Sequence, residues 1–394
     1  MNADYSSNIW KIYLFKFFIS LHFFSGVMIP FFMEWGGITF TQIMILQSWF
    51  MFCVFFLEIP TGTIADYLGR KHSLILAGFV GVLTPIIYTI KPDFYIFLLG
   101  EFFFALSVAL MSGADQALIY DSLKKTNETS KSKKIFAKIE SIGLAGIMIA
   151  STLGSIIAVY FGLKAPMLFM SIPAFFAFLI GLTLKEPKIT TKKTESKNYF
   201  DILKTGVSYF HNHKILKILA LDKIVIHSIA FMMIWLYQPI LMQAGVGIMY
   251  FGIINSIMLL AEITLMNNYA YFEKILGSKK KHIFMTSLLT GIMFIIGGLS
   301  SYLPLILLAI ILGGGFGLSR QPLFASYMNK HIPSSKRATV ISSISMLERL
   351  ALMITYPIVG LMVDWSLNNT LIILGIVAVV FSFLSKIDEK YLID

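Results

Sequence analysis

The chain has 394 residues, 57% of them hydrophobic, 14% aromatic and only 13% charged, with a mean hydropathy of +0.78. That composition excludes a soluble globule and leaves a polytopic membrane protein. At roughly 20 apolar residues per crossing of a hydrocarbon layer about 30 Å thick, about a dozen spans fill the chain and exclude a large soluble domain.

Hydrophobic segments run over about 9–33, 40–64, 73–91, 94–121, 135–161, 165–184, 217–241, 247–272, 282–302, 304–328, 338–363 and 367–386. They predict an all-α membrane protein with twelve transmembrane helices. Several, including those starting at Phe40 and Leu367, carry a long run without charge, so their backbones can be satisfied in lipid only as helices. The first lacks a short apolar core followed by a small-residue cleavage site and is expected to be a retained span. Cys53, the single cysteine, lies in an apolar span as a small core residue.

The net charge of +11 is a matter of topology. Arg70, Lys71, Lys124, Lys125, Lys131, Lys133 and Lys134, the 185–217 connector, Lys274, Lys279, Lys280, Lys281, Lys330, Lys336, Arg337, Lys386 and Lys390 all fall on one set of alternating loops. The opposite loops offer Lys91 and Lys164. The positive-inside rule then places both termini and the connector in the cytoplasm, with no call for nucleic-acid binding.

The connector splits the chain into an N-terminal six-helix bundle at 1–184, a cytoplasmic linker at 185–216 and a C-terminal six-helix bundle at 217–394. Within it, Tyr199, Phe200, Ile202, Leu203, Val207 and Phe210 recur near helical spacing, as in an interfacial amphipathic helix. At an offset of about 205 the halves repeat weakly, the sign of duplicated transporter halves. "ADQALIY" at 114–120 aligns with "SRQPLFA" at 319–325, and "ADYLGRKH" at 65–72 with "EKILGSKKKH" at 273–282, Gly69 over Gly277. The result is two pseudo-symmetric bundles.

"GTIADYLGRK" at 62–71 joins the second and third segments. A tight turn there calls for glycine, and Gly62 is expected to let another helix approach closely. Asp121, twenty positions beyond Glu101 at about 100° each, faces away from that residue and is the expected partner of Arg70. This decapeptide, with "EIPT" at 58–61, "SGADQALIYDSL" at 112–123 and "IPSSKRATVISSISMLERL" at 332–350, resembles the major facilitator superfamily, in a prokaryotic permease or drug-efflux-like branch. The resemblance spans essentially the whole chain. It implies alternating access, residence in the plasma (inner) membrane and a monomer. It also implies that Glu58, Gly62, Asp66, Gly69, Arg70, Lys71 and Asp121 form a cytoplasmic latch for the outward-facing state.

Charges inside spans cost something like 3 kcal/mol or more at bilayer depth and normally face a cavity. The resemblance implies that the first, fourth, seventh and tenth segments line that cavity. Glu101, Glu262 and His22 are the candidates for a proton or substrate site, with Glu101 first. Asp115 and Arg320, at corresponding positions of the repeat, are the candidate gate pair. Lys16, Asp222 and Lys223 lie near the cation-rich end, where long side chains snorkel. His227, Glu348 and Arg349 complete the intramembrane set.

No metal, nucleophile or phosphate-loop motif appears, so neither a cofactor nor an enzyme activity is expected and the driving force is an ion gradient or diffusion. Two departures from drug/proton antiporters stand out. Glu101 occupies the region of the expected fourth-segment arginine, and "ASTLGS" at 150–155 keeps Gly154 without a proline. The reading that follows is a secondary transporter in the lipid bilayer, exporting hydrophobic or amphipathic small molecules against protons. Its alternatives are a proton-coupled importer or facilitator of a small metabolite and, third, a non-transporting membrane sensor.

Overall fold

The computed structural model describes residues 5–187, 208–209, 213–333 and 336–393. Among these residues the chain is helical without strands, and eleven helical stretches are long and apolar enough to cross a membrane. The amphipathic stretch expected between Tyr199 and Phe210 lies outside the described residues.

The first helices are α1 (Ser7–Ile19), α2 (Phe40–Leu68), α3 (Arg70–Tyr88), α4 (Phe94–Met111), α5 (Ala114–Lys125), α6 (Ser132–Phe161), α7 (Lys164–Phe169) and α8 (Ser171–Thr183). They are followed by α9 (Lys214–Gln243), α10 (Phe251–Asn267), α11 (Tyr269–Leu276) and α12 (Lys279–Leu299). The chain closes with α13 (Leu303–Leu318), α14 (Gln321–Lys330), α15 (Arg337–Trp365) and α16 (Leu367–Leu384). Contacts divide it into two compact units, Met1–Glu195 with Gly247–Ser256, and Ser196–Val246 with Ile257–Asp394.

Several predicted spans are interrupted, two of them at a proline or a glycine. Pro322 lacks the N–H that would bond the Leu318 carbonyl, and the tenth span breaks into α13 and α14 there. The fourth breaks at Gly113, whose φ of +74° is the left-handed conformation that glycine adopts without a Cβ clash. The two interruptions fall at repeat-related positions, one just before Asp115 and the other around Arg320.

The first span departs from the single helix expected over 9–33. After α1 the chain leaves helical geometry at His22 (φ −85°, ψ 78°), makes a 3-10 turn at Phe23–Gly26, and resumes as a short turn Met28–Pro30 and a π-helical stretch Phe31–Trp35. A stripe of small residues on α6 receives this irregular backbone. A Cβ on Gly154 would overlap the Phe23 carbonyl, and one on Gly26 would overlap the Ser151 carbonyl. Ser155 Oγ donates to the Gly26 carbonyl at 3.2 Å and Ser25 Oγ to the His22 carbonyl at 2.7 Å. These bonds satisfy acceptors the broken helix leaves open, as a backbone at membrane depth requires.

The Gly247–Ser256 stretch shares in that packing. Asn255 Nδ2 donates to Ser151 Oγ at 2.9 Å, and the Gly252 N–H donates to Ser155 Oγ at 2.8 Å. Glycine also brings helices together in the second unit: Gly317 leaves no room for a Cβ beside Ala230, which draws α13 against α9. Each unit has its own apolar core at the lysine-rich end. One is built around Ile12, Phe15, Leu74, Leu118 and Leu123, the other around Leu216, Leu219, Leu323, Phe324 and Ile344. The repeat pair Leu118 and Leu323 thus has the same task in both.

Candidate functional site

The "GTIADYLGRK" stretch is mostly helix. The α2 helix continues through Gly62 and Asp66 to Leu68, and Gly69 alone, at φ +101°, links it to α3. Gly62 is a correction to the sequence reading: a Cβ there meets nothing within 4 Å among the described residues, so no helix approaches closely. Asp66 is exposed, without a hydrogen bond or ion pair among the described residues. Glu58 lies in α2, partly buried, one turn before Gly62, and the hydroxyl of Thr61 turns back to the Leu57 carbonyl at 2.7 Å.

Arg70 meets Asp121, and its Nη1 also donates to the Ala117 carbonyl at 3.4 Å. The rest of the cluster was not anticipated. The Glu186 carboxylate accepts the backbone N–H groups of Arg70 at 3.1 Å and Lys71 at 2.6 Å, capping α3 where its orphan donors and dipole favour an anion. Asn8 closes the ring, donating to Ser122 Oγ at 2.9 Å and to the Lys185 carbonyl at 2.7 Å while accepting from the Lys185 N–H at 2.9 Å. The two sides of the ring are therefore the Arg70–Asp121 pair and the Glu186 cap.

The second unit repeats the cap and drops the ion pair. Glu389 accepts from the N–H groups of Lys279 and Lys280, both at 2.9 Å, and from Ser278 Oγ at 2.5 Å, at the start of α12. Burial pushes the Glu389 carboxyl up, but the donors from Ser278, Lys280 and Lys279 outweigh it and hold it below the ordinary value. Glu186 and Glu389 each follow the last helix of their unit. The sequence signal was an acidic residue at that point in both halves.

Inside the first unit, Glu101 is buried against neighbouring helices, with Gln47 Nε2 donating to Oε1 at 2.8 Å and the Tyr88 hydroxyl as a second partner. Gly100 makes room for the Tyr88 ring. His22 sits at the break of the first span, its ring edge-on to Phe104 at 5.6 Å between centroids. With Lys16, Ser20, Phe104, Ser107 and Met111 it lines a largely apolar cavity of about 200 Å³. Lys16 lays its carbon chain along α6 at Gly143. Asp115 is buried in the first turn of α5, accepting from the Gln116 N–H at 2.7 Å within the electrostatic reach of Lys16 and Glu140.

The second unit holds the densest buried charge cluster among the described residues, and sequence reasoning took two of its members for snorkelling groups. Asp222 and Lys223 on α9 are 2% and 9% exposed. Asp222 is held by the Arg320 guanidinium and by Ser385 Oγ at 2.5 Å. Lys223 Nζ donates to Glu348 Oε2 at 2.8 Å, and Glu348 Oε1 accepts from Gln321 Nε2 at 2.9 Å. One turn beyond Lys223, His227 places Nδ1 at 2.8 Å from Gln321 Nε2 and Nε2 at 3.4 Å from Glu348 Oε1. Because a Gln amide nitrogen can only donate, His227 Nδ1 accepts, and the imidazole proton sits on Nε2 facing the carboxylate.

Two anions and two cations balance, which is the condition for burying them. Arg320 is thereby committed to a residue of its own unit, while the sequence had paired it with Asp115. The guanidinium also stacks over Phe324 at 4.9 Å. Glu262 on α10 is only partly buried and has no hydrogen bond or ion pair among the described residues. A cluster of three or more potential metal ligands is absent among the described residues.

Residues 13–354 match the family model described as Major Facilitator Superfamily. The structure is similar to that of a point mutant of the nucleoside transporter NupG, with a TM-score of 0.82 at 14% identity over 96% of this chain and 98% of that one. A POT family transporter in complex with a thioalcohol conjugated peptide matches with a TM-score of 0.75 at 15% identity, covering 95% and 94%. A bacterial homolog of the human lysosomal transporter Spinster, inward-facing and unoccupied, matches with a TM-score of 0.77 at 13% identity, covering 100% and 98%. A search of curated proteins finds no match. At such identities the structural likeness establishes the fold, and the family match over most of the chain establishes membership: the protein belongs to the Major Facilitator Superfamily, as a multi-pass membrane transporter.

Proposed function

We propose that the protein is a proton-coupled secondary transporter working by alternating access, exporting hydrophobic or amphipathic small molecules across the plasma membrane. The observation that carries the proton coupling is Glu348, a carboxylate inside a span that shares Lys223, His227 and Gln321 as partners. An ionisable group at that depth is a functional site by default. A proton arriving on Glu348 discharges its pair with Lys223, and one leaving restores it, so protonation changes the free energy of the conformation that holds the pair. Glu348 thereby joins Glu101, Glu262 and His22 as the group to be tested.

Two further observations support the rest of the reading. The cavity beside the broken first span is lined chiefly by aliphatic and aromatic side chains, which suits an amphipathic substrate. The Arg70–Asp121 pair, with its Glu186 cap, is the latch that favours one of the two conformations, and the lysine-rich end that carries it faces the cytoplasm together with both termini. The chain acts as a monomer. A second reading, uptake of a small metabolite, is favoured by Lys16 and Ser20 in the same cavity, where an ammonium and a hydroxyl suit a carboxylate-bearing solute.

The test is reconstitution into vesicles with an imposed pH gradient, recording lumenal pH while cationic dyes, antibiotics, sugars, nucleosides and amino acids are added in turn. Proton movement triggered by amphipathic compounds supports export. A response restricted to one polar metabolite replaces it with the uptake reading, and silence to every compound refutes proton coupling.

A further inference from the structure

At the lysine-rich end of the second unit, the start of α12 and the end of α16 enclose a cavity of about 450 Å³. Its rim carries the exposed Lys280 and Lys281, and its wall includes Phe284, Phe383, Ser385 and the buried Asp222. Neither ammonium makes a hydrogen bond or ion pair among the described residues. Lys280 feels the half-buried Asp388, which pairs with Lys390 at 3.3 Å, only electrostatically.

The internal repeat explains why these two cations are left over. In the first unit, Arg70 has Asp121 as its acidic partner. In the second, the cap survives as Glu389, but Ser326 stands at the offset of about 205 from Asp121, so no acid answers the α12 lysines from that position. Lys279 is used elsewhere, donating to the Leu392 carbonyl at 3.1 Å and lying over the Tyr327 ring. Lys280 and Lys281 remain beside the cavity.

The polar groups around them do not cancel their charge. Asp222 is already held by Arg320 and Ser385, and Glu389 by three donors. The hydroxyls of Ser287 and Ser382 donate to the Ile283 and Val379 carbonyls, so recognition of an anion falls to the lysine pair. Directly below the rim, Phe284 and Phe383 meet edge to face at 5.2 Å, and Ile376, Val380 and Phe383 form an exposed apolar line along α16. Their spacing of four and three puts them on one helix face. A cationic mouth continuous with an apolar stripe at the end of a transmembrane helix is complementary to a molecule with an anionic head and a hydrocarbon tail.

We propose that this cavity binds the phosphate headgroup of an anionic glycerophospholipid, gripped by Lys280 and Lys281 with its acyl chains along the Ile376–Phe383 face of α16. The experiment is native mass spectrometry of the full-length protein, purified in detergent, stripped of lipid and titrated with phosphatidylglycerol or phosphatidylcholine. Glycerol phosphate serves as the arm that presents the same anion without a tail.

At the usual increment for a lysine near an anionic lipid surface, two lysines give a preference of about 30-fold for phosphatidylglycerol over phosphatidylcholine. Lys280→Ala with Lys281→Ala should reduce that preference to about threefold or less. Lys280→Arg with Lys281→Arg should keep it, as should the control Lys124→Ala with Lys125→Ala in the other unit. An unchanged preference in the double alanine variant, or none in the wild type, overturns the site. Displacement of the lipid by equimolar glycerol phosphate overturns the lipid assignment in favour of a free phosphate. The thermal unfolding midpoint of each variant, read alongside, separates lost binding from lost fold.

Discussion

Removing one partner of the Lys223–Glu348 pair tests whether the buried cluster is a coupled unit. At 2.8 Å and an effective dielectric constant of about 20, the gross attraction between the charges is about 6 kcal/mol. Desolvating both ions costs a comparable amount, so the intact pair contributes little net stability. A single truncation strands a charge behind side chains only 10% and 11% exposed, and the expected loss is about 3–5 kcal/mol. Lys223→Met should fall at the lower end because Glu348 keeps Gln321 as a donor, and Glu348→Gln at the upper end because Lys223 has no second acceptor of like strength among the described residues. The double variant, in which a neutral amide faces a thioether, should lose only about 1–2 kcal/mol. Equilibrium unfolding in mixed micelles, run as a double-mutant cycle, should give a coupling of about 4 kcal/mol or more. Additive losses, with a coupling below about 0.5 kcal/mol, would refute the reasoning.

Two glycines of the sequence motifs should behave oppositely. Gly154→Ala drives a methyl group into the Phe23 backbone and should destabilise the protein by about 1–3 kcal/mol or prevent folding. Gly62→Ala places its methyl in open space inside a helix and should stabilise it by up to about 1 kcal/mol, both read as shifts in the unfolding midpoint. The Glu389 cap makes a pH-dependent contribution. Its carboxyl is held below the ordinary value of 4.5, so the stabilisation is fully present above that value and fades as pH falls through the lowered one. Glu389→Gln should flatten this acid limb of the unfolding curve, and an unchanged limb would show that the cap is not formed in solution.

Hydropathy made the all-helical membrane fold legible because a backbone in lipid has few options, and the α2–α3 motif carried the family. The Arg70–Asp121 pair followed from helical angles, since both residues lie on regular helix. The break at His22 did not. No proline or glycine stands at that residue, and the surface that receives the broken backbone lies more than a hundred residues away in the small-residue stripe of α6. Asp222 and Lys223 were misread because depth was judged from distance along the chain, whereas α9 begins at Lys214 and its neighbours cover both side chains. Arg320 was assigned by repeat symmetry to Asp115, and the acid on α9 that holds it shares no repeat position with it. Glu186 sat in a polar run that looked like linker, and only the folded chain brings it to the α3 terminus.

The most direct test of proton coupling compares two fluxes of one substrate in vesicles containing wild type or Glu348→Gln. If Glu348 carries the coupling proton, the variant loses uphill transport driven by a pH gradient and keeps substrate counterflow at equal pH. Uphill transport that survives in Glu348→Gln would contradict the account, and its loss in Glu101→Gln or Glu262→Gln instead would move the proton to that carboxylate.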